Sequence, residues 1–209
     1  MTTIYMKPAE LAAIAIAAST EATRYYLNGV CVESYSDGTH GLIATDGHRL
    51  HSINTQEKAV EHFIFASDDI KKALAMLKAE EKTMKPLKHL LRIIVDHTPP
   101  ACALKVSIAL VTENELKEIE IHEKASFATK AIEGNFPDWR RIMPASEPLA
   151  GPIGFNGFLA HGFAEAAKLL GDKSALVIFN SNGTDNPIPV TIQAAPAFKG
   201  VLMPMRLSR

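Results

Sequence analysis

Apolar and polar positions along the chain repeat one order three times: a short strand pattern, a breaker-free helical stretch, then alternating runs separated by turn residues. Thr3 to Met6 reads as a short strand. Ala9 to Ser19, entered through Pro8 and rich in Ala, Leu and Ile, reads as a helix with almost no polar face. Thr23 to Tyr35 carries Tyr25, Leu27, Val30 and Val32. With Gly41 to Ala44 and Arg49 to Asn54 beyond a Ser36-Asp37-Gly38 turn, it predicts antiparallel strands.

The order restarts at His62. HFIFA is a short apolar strand, Ser67 is placed to cap a helix, and Asp68 and Asp69 suit its positive end; Leu74, Met76 and Leu77 supply apolar contacts up to about Lys82. Past a Lys-rich stretch with Pro86, and past Pro99-Pro100, strands are expected at Arg92 to Val95, Ala103 to Thr112, Leu116 to His122 and Ser126 to Ile132, with Glu113-Asn114-Glu115 as a turn. After a Pro/Gly-rich joint from Pro144 to Pro152 come the strand Ile153 to Phe155 and the helix Gly157 to Leu170, closed by Gly171. Strands Ala175 to Phe179, Ile188 to Gln193 and Gly200 to Met203 follow. The fold class is α+β. No sequence identity links the three units, so the repeat is one of architecture.

Composition adds limits. The chain has 209 residues, 47% hydrophobic and 22% charged, enough apolar material for a real core. Lys+Arg 22 against Asp+Glu 23 leaves a net charge of -1, so any contact with nucleic acid must come from a local patch. Cys31 and Cys102 sit in apolar stretches, as buried hydrophobes do, which suits a reducing compartment. The start MTTIYMKPAE has no basic segment before an apolar core, and the run Leu11 to Ala18 is far below the ~20 residues of a bilayer span. Neither export nor membrane insertion is expected.

Catalysis finds little support. Asp46, His48 and His51 lie close in sequence, but residues three apart on a strand face opposite ways, and the H-E-x-x-H spacing is absent. His97, His122 and His161 are isolated. No phosphate-cradling loop or activated Ser or Cys is recognisable, so no enzyme, metal or cofactor is predicted.

Three segments are distinctive together: TRYYLNGV (23–30) with ATDGHRL (44–50), EGNFPDWRRIMP (133–144), and VLMPMRL (201–207). In this order they resemble the bacterial sliding clamp, the beta subunit of DNA polymerase III. The resemblance implies a clamp fold of half-domains, with helices lining the inside of a ring and antiparallel sheets outside. Residues 1–144 resemble the family's middle domain with a longer connection at Lys82 to His89. Residues 145–152 are then a linker, and 153–209 resemble the second half of its last domain.

It further implies an apolar cleft that captures short linear peptides from DNA polymerase, the clamp loader and repair proteins. On residues alone the matching positions would read as core and turn. The resemblance makes Leu27, Thr45, Gly47, His48, Arg49, Leu50, Pro137, Arg141, Ile142, Val201, Met203, Pro204, Met205 and Arg206 the cleft. Leu, Ile, Val, Met and Pro suit Leu or Phe anchors, flexible Met tolerates several partners, and Arg can orient a peptide at the rim. Two departures stand out: Trp139 where Tyr is usual, and Ser208-Arg209 beyond the usual final Leu.

Contact with double-stranded DNA in this family is sequence-independent and uses the inward helices. Here that implicates Lys71, Lys72, Lys78, Lys168 and Lys173, with Lys82, Lys85 and Lys88 as an extension. A family ring has twelve half-domains and this chain supplies three, so the expected assembly is a homotetramer of two dimers, cytoplasmic and nucleoid-associated. The competing expectation is a peptide-binding module that never closes and competes for clamp-binding proteins.

Overall fold

A computed structural model describes residues 2–58, 62–81, 88–96, 102–113, 119–143, 153–180 and 186–205. The first unit is β1 (Thr2–Met6), α1 (Pro8–Ala15) and a meander of β2 (Gly29–Ser34), β3 (Thr39–Thr45) and β4 (Arg49–Lys58). The second is β5 (His62–Ala66), α2 (Ser67–Glu81), β6 (Lys88–Asp96), β7 (Ala103–Glu113) and β8 (Ile119–Lys130). The third is β9 (Gly154–Phe155), α3 (Gly157–Leu169), β10 (Val177–Phe179), β11 (Ile188–Ile192) and β12 (Ala195–Leu202), followed by β13 (Pro204–Met205).

Units one and two exchange their first strands. β1 joins the second meander in the order β1-β6-β7-β8, and β5 joins the first. The first meander continues into the third unit, giving a seven-stranded sheet β10-β11-β12-β4-β3-β2-β5. Every pairing is antiparallel, and the third unit enters at β12 against β4 with Phe198 opposite Ile53 and Leu202 opposite Arg49.

α1 packs against both α2 and α3. This explains its missing polar face, because a helix flanked on both sides and seated on sheets has little surface left for water. Leu11, Ala13 and Ile14 are buried in one core that runs through all three units, together with Ile4, Phe65, Ile93, Phe163 and Phe198. Gly162 is the close-approach point: a Cβ there would collide with the Arg49 guanidinium and crowd Ile16.

Several expectations shift. Residues 22–27 form a 3-10 helix and the strand begins only at Gly29, since the Tyr and Leu of that stretch pack without alternating faces. α1 ends at Ala15, short of Ser19. β8 is one strand, where two were expected, because a bulge in its pairing between Ser107 and Ala109 absorbs the break in alternation. β12 starts at Ala195, ahead of Gly200. Ser67 is the first helical residue of α2, and its hydroxyl is buried without a hydrogen bond in place of the expected cap. α3 is capped instead by Asn156, whose Oδ1 accepts from the Phe158 amide at 2.9 Å. No described helix is long and apolar enough to cross a membrane.

Candidate functional site

The turn from β3 to β4 is built by its own side chains. Thr45 Oγ1 donates to the Arg49 carbonyl at 2.7 Å and accepts from the Gly47 amide at 3.1 Å, while Asp46 Oδ1 accepts from the amides of His48 and Arg49. Gly47 adopts φ +88°, a conformation that costs other residues strain. The T-D-G-H-R run is therefore a self-bonded turn that fixes where β4 begins.

β4 then carries the turn to the third unit. Leu50 stands opposite Val201, and the Met203 amide donates to the His48 carbonyl at 2.9 Å, so the first and last candidate segments are hydrogen-bonded neighbours. On one face of this seam Leu50 and Val201 pack with Cys31 and Ile43, and Phe136, Trp139 and Met143 lie against the cluster. Burial there pushes the Cys31 thiol up to about 12, leaving it a neutral apolar group.

Residues 136–143 are held from outside as well. Trp139 Nε1 donates to Glu33 Oε2 at 3.0 Å, Arg140 Nη1 donates to Glu33 Oε1 at 2.8 Å, and the Arg140 guanidinium lies 4.7 Å from the Trp139 ring. Partial burial pulls the Glu33 carboxyl upward, but the bonds from Arg140 and Trp139 outweigh it and hold the group below its ordinary range. Beside Trp139 a cleft of about 420 Å³ opens over Tyr35, Asn54, Arg140, Met143 and Lys199.

The candidates divide by exposure. Gly47, His48, Pro137, Arg141, Ile142, Met203 and Met205 face solvent and Pro204 is half-buried, whereas Leu27, Thr45, Leu50 and Val201 are covered. Leu50 and Val201 thus form a floor under Phe136, Trp139 and Met143. Arg49 is not at a rim: its guanidinium is occupied by Asp46 at 3.1 Å and the Ile16 carbonyl at 2.7 Å, tying the turn to α1. Arg206, the linker 145–152, Lys82, Lys85 and Ser208-Arg209 lie outside the described residues. Glu33, Ile43 and Phe136 were not among the residues expected at the cleft, and Cys31 was expected only as a buried apolar residue, which it is; the alternation of β2 and β3 was the signal that could have placed Cys31 and Ile43 on this face.

His51, one residue on from Leu50, turns to the other face. It is buried between Phe163 and Phe198, with ring centroids at 4.5 and 5.3 Å, and Nδ1 meets the Ala13 carbonyl at 2.9 Å. Burial pushes its imidazole down to about 4. Among the described residues no group of His, Cys, Asp or Glu is placed to hold a metal.

Lys71, Lys72, Lys78, Lys168 and Lys173 are exposed but do not share one face. Lys71 and Lys78, seven residues apart, fall on one flank of α2, with Lys71 Nζ 2.9 Å from Asp68. Lys72 reaches the other flank, its Nζ 4.2 Å above the Phe127 ring of β8. Lys168 lies in the last turn of α3 and Lys173 follows that helix. Lys88 opens β6.

The chain is similar to solved sliding clamps. Caulobacter crescentus pol III beta matches with TM-score 0.66 and 19% identity over 99% of this chain and 67% of that one. The Bartonella birtlesii DnaN sliding clamp, solved bound to griselimycin, gives 0.62 and 18% over 98% and 66%, and a Pseudomonas aeruginosa clamp 0.61 and 18% over 98% and 67%. The chain spans about two thirds of the length of these clamps. No curated protein sequence matches it. Residues 7–138 match the model of the DNA polymerase III beta subunit, central domain, and the chain belongs to that family.

Proposed function

We propose that this protein is a DNA sliding clamp that encircles duplex DNA as an oligomeric ring and tethers DNA polymerase and other replication or repair proteins by short peptides. The observation that carries the reading is the seam between β4 and β12, where Leu50 and Val201 make an apolar floor and residues 136–143 lie across it. Exposed Ile142 and Met203 then supply apolar surface at its margin for a Leu or Phe side chain. The family is non-enzymatic, and a tether needs only this kind of site.

Residues 1–144 act as a complete clamp domain and 153–209 as half of one, joined by 145–152. Three half-domains per chain make four chains the number that closes a ring of twelve. DNA passes the inner helices and meets lysine on α2 and α3 through phosphate charge, with no base readout. The test is titration calorimetry with a Leu/Phe-containing clamp-binding peptide. Affinity around micromolar, about 8 kcal/mol, is expected; absence of heat at millimolar peptide would remove the cleft.

A further inference from the structure

The first strand of each meander has an outer edge, and two of the three edges are covered by a strand from another unit. β5 lies on β2, whose Val30, Cys31 and Val32 are 0 to 1% exposed, and β1 lies on β6, whose Leu91, Ile93 and Val95 are at 0%. β10 holds the same place in the third unit and ends the seven-stranded sheet. There Leu176 is 46% exposed, Ile178 41% and Phe179 36%. The Asn180 amide bonds inward to the Pro189 carbonyl, so by alternation the amides of Val177 and Phe179 point outward. An uncharged, proline-free apolar edge is one that soluble proteins cover.

The third unit also owns a strand with nowhere to cross. β1 and β5 each leave their own meander for the other's, whereas β9, in the same position just before α3, pairs among the described strands with the tail strand β13 alone, and its Phe155 ring stacks at 5.5 Å on Phe179 at the open edge strand β10. Residues 144–152, which precede it, are too few for another such unit, since the first spans 2–58.

We propose that a second copy of this chain closes the gap reciprocally, β9 of each adding antiparallel to β10 of the other about a two-fold axis. Two third units thereby rebuild between chains the exchange that units one and two make within one. The register follows from β5 on β2, where Ala66, the last residue of β5, faces Gly29, the first of β2, as Phe155 is the last of β9 and Val177 the first of β10. Phe155 of one chain accordingly falls opposite Val177 of the other. This deepens the ring reading above by naming a contact between chains, but it stands on the strand pattern and not on the cleft.

Light scattering coupled to size-exclusion chromatography tests it on the full chain from 1 to 100 µM. The expected particle mass is an even multiple of 22.7 kDa, halved by Ile178→Lys, and a Phe155→Cys, Val177→Cys double variant gives a reducible two-chain band on a non-reducing gel. Should Ile178→Lys fail to fold, the cysteine pair decides. A single-chain mass throughout overturns the pairing, as does a multimer indifferent to Ile178→Lys that yields no inter-chain disulfide, which would assign the contact to another surface. Peptide titration separates the two readings: a monomer that binds peptide sinks the pairing alone, and an even multimer that binds none sinks the cleft alone.

Discussion

Leu50 on β4 and Val201 on β12 face each other across the antiparallel seam that joins the first unit to the third, and both are closed to solvent. Removing Leu50 therefore acts on the fold before it acts on any ligand. Leu50→Ala is expected to cost about 2–5 kcal/mol in denaturant unfolding, and Leu50→Glu to prevent stable folding, because its charge would be buried without a partner. Met203 is 37% exposed at the margin of the same seam. Met203→Glu should keep the melting temperature within a few degrees and weaken peptide binding at least tenfold. Unchanged titration heat would take Met203 out of the cleft.

Trp139 is the chain's one tryptophan, so its fluorescence reports on residues 136–143 directly. Peptide seated on the Leu50 and Val201 floor must touch or shift this segment and change the emission. Trp139→Phe should abolish that change and, by removing the hydrogen bond to Glu33, cost about 1 kcal/mol of stability. Bound peptide, verified by calorimetry, with no change in emission would place the ligand elsewhere.

The strand-helix-strands order was legible because each unit separates its alternating and helical stretches by turn chemistry, and Pro8 and Gly171 mark helix boundaries where they were expected. The exchange of β1 and β5 was not legible. Strand partners are set by nonlocal packing, and nothing in TTIYM or HFIFA names the edge it joins. The same limit applies to the site: TDGHRL announces a turn, but only the β4–β12 register reveals that Leu50 is floor and that Arg49 is spent on Asp46 and Ile16. Trp139 stood out as a departure, while its partner Glu33, far off in sequence on β2, did not.

His51 should make the fold acid-sensitive. Its folded pKa is about 4 against an ordinary 6.5, so below 6.5 the unfolded chain takes up a proton that the folded chain refuses. Stability falls as pH drops from 6.5 toward 4, by about 3 kcal/mol in all. Glu33 adds its own loss only below the ordinary carboxylate range, since its folded pKa is lowered. His51→Gln should start less stable at pH 7, without the ring that packs between Phe163 and Phe198, yet show a flatter decline between pH 6.5 and 5 in urea titrations. A parallel decline would clear His51 of the effect.

The lysines of α2 should not contribute equally to DNA retention. Lys71 and Lys78 share a flank and reach solvent freely, and the Lys71 ion pair with Asp68 is exposed, a kind that contributes little and yields readily to a phosphate. Lys72 is drawn over Phe127, where the ring face offsets part of its charge. Each phosphate that a lysine no longer neutralises lowers the slope of log affinity against log salt by about 0.9. Lys71→Glu with Lys78→Glu should therefore flatten the slope by about 2 and weaken retention equally on unrelated DNA sequences, whereas Lys72→Glu alone should change it by less than 1. Measuring dissociation of the loaded protein from circular DNA between 50 and 200 mM salt resolves these differences. A larger effect from Lys72 than from the pair would reverse the assignment of flanks, and a preference for one DNA sequence would contradict binding through phosphates.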